Sequence, residues 1–286
     1  MVVSDPKSVN LDAVTVAGFG AEWAAFDQSR LTGDEFDALF DAYFAVFPFD
    51  RLPDNAEGFD LGCGSGRWAI KVAGLVATLH CIDPSAQALA VARARLAGRD
   101  NVQFHQASVD SIPLANASQD FGYSLGVLHH VPDTAAALRD CVRKLKPGAP
   151  FLLYLYYAFD NRPVWFRMLW KLTDAGRRGI CRLPFRLRKA TTDLIAGGIY
   201  WPLARLAAVA EKAGANVANL PLSAYRRLSF YTMRTDALDR FGTRLEQRFT
   251  RGEIERLMAD AGLTDIRFSD DVPFWTVCGC RAEAAR

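Results

Sequence analysis

Between Phe59 and Tyr157 short apolar runs alternate with stretches whose apolar positions recur every three or four residues. "GFDLG", "ATLHCID", "NVQFHQAS", "DFGYSLGV" and "PFLLYLYY" have the compact, β-branched or aromatic character of buried strands. "RWAIKVAGL", "SAQALAVARARLAG" and "DTAAALRDCVRKLKPG" have helical spacing. The second is capped by Ser85 and ends at Gly98; the third is stopped by Pro147-Gly148. Strand and helix in this alternation predict a parallel sheet covered by helices on both faces.

The rhythm changes on either side. Ahead of the first strand, "AEWAAFDQSR" and "DEFDALFDAYFAVF" read as two amphipathic helices. Arg162 to about Arg248 is mostly helical, with breaks expected at Pro184, Gly197-Gly198, Pro202 and Pro221. "TRGEIERLMADAG" then opens with Thr250 and Glu253 at capping-box spacing. The last two strands, "TDIRFSD" and "FWTVCGCR", are joined by only a few residues around Pro273. That is too short for a parallel crossover, so this pair is expected to be antiparallel. The fold expected is α/β: a Rossmann-like seven-stranded sheet with an antiparallel last strand, an N-terminal helical cap and a helical lid insertion. One domain spans 1–286, divided into a cap (1–56), a core (57–157), a lid (158–248) and a terminal helix with hairpin (249–286).

Composition narrows the class only slightly. Half of the 286 residues are hydrophobic and the net charge is +2, ordinary for a globular chain and too weak to imply nucleic acid. Six cysteines without a CxxC pair argue against a disulfide framework or a zinc site, and no metal is expected. The opening "MVVSDPKSVNLDAV" lacks a basic region followed by a long apolar run. "LIAGGIYWPLA" is too short to cross a bilayer. A reducing cytoplasm is the expected location.

The chemistry concentrates in "GFDLGCGSGRW", where a strand ends in glycines and feeds a helix. Such a turn lets a ligand touch bare backbone and a helix N-terminus. Gly64, Gly66 and Ala69 satisfy a dinucleotide pattern, with Asp83 where a ribose-binding acid belongs, so a nicotinamide enzyme is one reading. Asp60 points elsewhere: a carboxylate beside the loop would repel a diphosphate and suit an ammonium or sulfonium.

Taken together, "DLGCGSG", "SLGVLHHV" and the antiparallel final hairpin resemble the class I S-adenosylmethionine-dependent methyltransferases, in the type 11 group that includes quinone methyltransferases. The resemblance implies S-adenosylmethionine as cofactor and S-adenosylhomocysteine as product. It implies that Asp60, Gly62, Cys63 and Gly64 line the methionine end, with Trp68 at the helix start, and that Asp83, followed by Pro84, takes the ribose hydroxyls. Ser108 stands where the family usually has an acid near the adenine, beside Val109; Leu125 and Gly126 close the fourth strand against the same ligand. Trp23 resembles a segment that closes over the cofactor in relatives, although core packing explains it equally well.

Methyl transfer from a sulfonium needs alignment and water exclusion more than a nucleophilic side chain. A base matters when the acceptor is a hydroxyl or a carbon. Of His129 and His130, His130 is the candidate pocket residue because it lies past the strand end; Tyr157, in "LYLYYAFDNRP", is the second catalytic candidate. Alternation places Tyr154 and Tyr156 on one face and Tyr157 on the other.

From Arg162 to Lys189 nine basic residues face one acid, Asp174, with Trp165, Phe166, Trp170 and Phe185 interleaved. The plainest reading is an amphipathic lid with a solvated basic face. A lid that admits an amphipathic or anionic small molecule, with peripheral membrane contact, is the second. RNA is the third, and no nucleic acid is expected from the balanced charge. The function expected is methyl transfer to a small molecule; the alternative from another class is a binding or assembly protein with the same fold. No asparagine-proline-proline-aromatic run marks an amino acceptor, and oligomeric state leaves no trace in the sequence.

Overall fold

The computed structural model describes residues 10–28 and 30–283. The opening nine residues, on which the absence of a leader was partly argued, lie outside the described residues. Helix α1 (Ala13–Ala25) begins eight residues earlier than "AEWAAF" suggested, capped by Asp12, whose Oδ1 accepts from Thr15 N at 2.7 Å. Gly18 and Gly20 hid this start, since glycine weakens a helix interior. Gly20 is required by packing. A Cβ there would come within 2.6 Å of the Ser85 hydroxyl, so its absence lets α1 approach the turn after the second strand.

Helix α2 (Gly33–Phe44) precedes β1 (Glu57–Leu61), α3 (Ala69–Val72), β2 (Thr78–Asp83), α4 (Ala86–Arg95) and β3 (Val102–Gln106). Then come β4 (Phe121–Leu125), α5 (Thr134–Lys144) and β5 (Pro150–Tyr154). α3 is shorter than its spacing predicted. The segment winds into tight i→i+3 turns, with Gly74 N donating to Lys71 O and Leu75 N to Val72 O, to bring the chain back onto β2.

The insertion holds α6 (Val164–Ile180), α7 (Phe185–Ile195), α8 (Trp201–Lys212) and α9 (Phe230–Gly242). Pro184 separates α6 from α7 as expected. The breaks expected at Gly197-Gly198 and Pro202 are absent: a π-helical turn, Ala196–Tyr200, joins α7 to α8 without interruption. The wider turn takes in both glycines and delivers Pro202 to the first turn of α8, where its missing N–H and its ring are tolerated. Helix α10 (Arg251–Asp260) has the full reciprocal Thr250–Glu253 capping box. β6 (Leu263–Phe268) and β7 (Val277–Arg281) close the chain.

The sheet has seven strands in the order β3-β2-β1-β4-β5-β7-β6. Pairing is parallel up to β5, and β7 runs antiparallel to both of its neighbours. One apolar layer packs α5 and α10 against Phe59, Phe151, Leu153 and Val277; the other packs α2 to α4 against Leu79, Phe121, Tyr123 and Leu152. The chain leaves β1 for β2 on one side and returns to β4 on the other. The carboxyl ends of β1 and β4 therefore face a crevice where ligands bind in open α/β sheets.

Candidate active site

That crevice is an open cleft of about 810 Å³, including the solvent at its mouth. Its floor is the turn after β1. Gly62 N donates to Ile82 O at 2.7 Å, which pins the turn to β2, and Gly62 has φ +76°. A Cβ at Gly62 would lie 2.4 Å from the Val127 side chain, so both backbone and space demand glycine. Gly64, at φ +54°, backs onto the Trp23 indole of α1.

Asp83 ends β2 inside the cleft. Its Oδ2 accepts from Gly64 N at 3.0 Å and its Oδ1 from Ser85 N at 2.8 Å. Burial pushes its carboxyl up to about 6, and those two N–H groups hold it down from going higher. A carboxylate with one bond to each oxygen still has lone pairs free for two ligand hydroxyls. Pro84, Ser108, Val109, Leu125 and Gly126 also line the cleft. Gly126, at φ +79°, has open space where a Cβ would stand. The Ser108 hydroxyl is engaged by Asp110 and Ser111, and Asp110 in turn accepts from Asn10 N at 3.0 Å. Asn10 also bonds the backbone of Asp133, so residues 10–12 are strapped across the cleft.

Five of the candidate residues stand outside the lining: Gly64, which is covered by the Trp23 indole, and Asp60, Cys63, Trp68 and Tyr157. Asp60 is 2% exposed and sits in the core, where burial pushes its carboxyl up to about 8. The nearby Tyr123 hydroxyl opposes this, yet neither Asp60 Oδ2 nor that hydroxyl completes a hydrogen bond of ordinary geometry. At neutral pH Asp60 is therefore mostly a neutral acid, not the fixed charge its place in the motif suggested. Cys63 is buried behind the turn, its thiol kept protonated by the Cys81 thiol and by burial. Trp68 packs among Phe36, Tyr43 and Phe44. Tyr157 turns away from the cleft to stack on Phe159 and Phe274.

His130 lines the cleft under Phe19, at 4.9 Å between rings. Its Nδ1 lies 2.6 Å from Leu245 O; a carbonyl only accepts, so Nδ1 carries the proton and Nε2 keeps the lone pair. Nε2 is buried, has no hydrogen-bond partner, and stands 4.0 Å from Asp239 Oδ1 on α9. Burial lowers the His130 pKa despite Asp239, so the ring is neutral at pH 7. The Tyr156 hydroxyl donates to the other oxygen of Asp239. Ring contacts continue from Tyr156 to Tyr154 at 6.1 Å and from Tyr154 to Tyr43 at 5.2 Å. His129 stacks on Tyr156 and does not reach the cleft lining.

Known proteins supply a comparison for this arrangement. The family model for a methyltransferase domain matches residues 59–153. This segment is a methyltransferase domain. The ubiquinone biosynthesis O-methyltransferase of Paracidovorax citrulli is 34% identical over 106 residues, 36% of this chain and 43% of that protein. The ubiquinone/menaquinone biosynthesis C-methyltransferase UbiE of Rubrivivax gelatinosus is 34% identical over 114 residues, 40% and 43% of the two chains. The matches thus span about two fifths of those relatives' own length. Among solved structures, a candidate S-adenosyl-L-methionine-dependent methyltransferase from Methanococcus maripaludis superposes with a TM-score of 0.51 at 15% identity, covering 98% of this chain and 99% of that one. The methyltransferase SibL also gives 0.51, at 16% identity, over 87% of this chain and 57% of that one. At those identities the likeness is one of fold. The methyltransferase domain carries the cleft floor, Asp83 and His130; α1 with residues 10–12 ahead of it, which supply the rest of the lining, and α9, which sets Asp239 beside His130, lie outside the matched residues.

Proposed function

We propose that the chain is an S-adenosylmethionine-dependent methyltransferase that methylates a hydroxyl oxygen of a small molecule, with His130 as the base. The observation that carries this reading is the unpartnered, buried Nε2 of a neutral His130, placed between the cleft and Asp239. The cleft suits the cofactor: Asp83 offers lone pairs to ribose hydroxyls, Gly62 and Gly126 leave backbone bare, and buried Asp60 Oδ2 lacks a donor that an ammonium would provide.

Held by Asp83 and the turn after β1, S-adenosylmethionine would supply a methyl group whose bond to sulfur breaks as the acceptor oxygen displaces S-adenosylhomocysteine. His130 Nε2 accepts the acceptor's hydroxyl proton as the oxygen–carbon bond forms, and Asp239 stabilises the resulting imidazolium. Tyr156 holds Asp239 in place from the other side. Phe19 covers the His130 ring, and Asn10 lines the same cleft. The Rubrivivax relative, named a C-methyltransferase, supports a second reading in which the same base removes a proton from an activated carbon.

Calorimetry with S-adenosylhomocysteine, followed by turnover with hydroxylated small molecules, tests the reading. His130→Gln is expected to lower kcat by about 10²–10⁴ while product affinity stays within a few-fold. Because burial depresses the imidazole pKa, wild-type activity is expected to persist below pH 6.5 before it falls as His130 protonates. An enzyme whose rate is indifferent to this substitution uses another base or none. A folded protein that binds the product but methylates nothing is a binding protein with this fold.

A further inference from the structure

From Phe185 to Lys212 the insertion forms one uninterrupted helix of 28 residues, about 42 Å long at 1.5 Å per residue. Its inner side meets α9 through Thr192, Ala196, Tyr200 and Ala204. Its outer side is apolar and bare: Leu187 is 58% exposed, Leu194 77%, Leu206 64% and Val209 65%, with Ile199 and Trp201 between them. Soluble monomers seldom leave so long an apolar stripe open to water.

The charges around the stripe are arranged at its ends. Between Ala190 and Val209 the only ionisable acid and base are Asp193 and Arg205. Asp193 is held by Lys189 and Arg234, and Arg205 lies over Trp201 and bonds Leu228 O. Arg182 and Arg186 stand exposed at the N-terminal end, and no carboxylate of the described residues is ion-paired with either. Lys212 and Arg227 stand exposed at the other end, where Glu211 is already shared by Arg226 and Arg227.

We propose that this face docks on the surface of a bilayer containing anionic lipids. The stripe lies in the boundary between headgroups and acyl chains, and the two basic ends meet lipid phosphates. An apolar centre bounded by long cationic side chains is the pattern of helices that lie in a membrane interface. A second copy of the chain fits less well, since face-to-face pairing would bring the unpaired Arg182, Arg186 and Lys212 of each copy together without a compensating acid. Among the described residues no helix is long and apolar enough to cross a membrane, so the contact is peripheral. It would set α9, with Asp239, directly above the lipid surface, which suits an acceptor with a lipid-like tail. The docking itself does not depend on the methyl-transfer reading.

Flotation of the full chain with vesicles tests this, using phosphatidylcholine alone and phosphatidylcholine mixed with phosphatidylglycerol. Wild-type protein is expected to float with the mixed vesicles and to lose binding as salt rises. L194E/L206E, two changes on bare outer positions, is expected to reduce the bound fraction roughly tenfold or more. R182E/R186E, which leaves the apolar stripe intact, is expected to weaken binding to the mixed vesicles only. Far-UV circular dichroism and S-adenosylhomocysteine binding check that both variants fold. Failure of wild type to float, or flotation of L194E/L206E at the wild-type level, overturns the proposal. So does light scattering that finds a wild-type dimer dissociated by L194E/L206E, which assigns the face to a second copy.

Discussion

Asp60→Asn separates the charge that the motif suggests from the one the core allows. The carboxyl is pushed from 3.8 in the unfolded chain to about 8 in the folded one, chiefly by burial, with Asp83 adding to it. A group whose folded pKa is raised favours folding fully below its unfolded pKa, and that contribution is lost as pH climbs toward the folded value. The loss is about 1.4 kcal/mol per pH unit within the window. Between pH 5 and pH 8 the wild type should therefore shed about 4 kcal/mol through Asp60 alone, an upper figure for a fully buried group. Asparagine has nearly the same shape and no proton to lose. The stability difference, variant minus wild type, should accordingly move in the variant's favour by that amount across the range. Urea unfolding followed by tryptophan fluorescence at pH 5, 6, 7 and 8 measures it. Asp236 and the other buried acids that do not act on Asp60 titrate in both proteins and cancel from the difference, whereas Asp83, which does act on it, leaves a smaller remainder there. A difference constant within about 0.5 kcal/mol would refute the reasoning and leave Asp60 ionised throughout. With saturating S-adenosylhomocysteine the slope should flatten, because an ammonium beside Asp60 favours its charged form.

Other residues make sharper, simpler tests. Gly62→Ala combines a φ of +76° with a Cβ 2.4 Å from Val127, and thermal denaturation should show a loss of about 1–3 kcal/mol together with weakened product binding. Asp83→Asn cannot accept equally at both oxygens, and calorimetry should show S-adenosylhomocysteine bound about ten- to a hundredfold more weakly. In the wild type that affinity should itself decline as pH falls through about 6, where the Asp83 carboxylate protonates.

The sheet and the cleft floor were readable because their signals are local. Each strand of the core is a compact apolar run, and Gly62, Asp83, Ser108 and Gly126 follow strand ends directly, so strand position is site position. Side-chain direction was less readable. Asp60, Cys63 and Trp68 belong to the right turn, yet they face the core, because a glycine-rich turn has no fixed period from which to infer a direction. Tyr157 lies past the last paired residue of β5, where its ring follows Phe159 and Phe274. Most of α1 lies ahead of the expected helix, across Gly18 and Gly20, where low helix propensity weakens the signal; Gly20 is small for the sake of a contact with Ser85. Asp236 and Asp239 left one faint signal: two acids three apart on α9, among Thr232, Met233, Ala237 and Leu238, on the side that a globular helix buries.

The matched segment ends at residue 153, and this boundary has a chemical meaning. His130 lies inside it, while Asp239, which faces His130, and Tyr156, which holds Asp239, lie outside. Under the proposed function, the groups that surround the base therefore come from beyond the matched segment. α1 adds to them. Along one helix it sets Phe19 over His130, buries Glu22 within electrostatic reach of Asp239, and lays Trp23 against Gly64 of the cleft floor. Under the proposed function, α1 therefore touches both the turn that would hold the cofactor and the surroundings of His130, and it lies outside the matched residues.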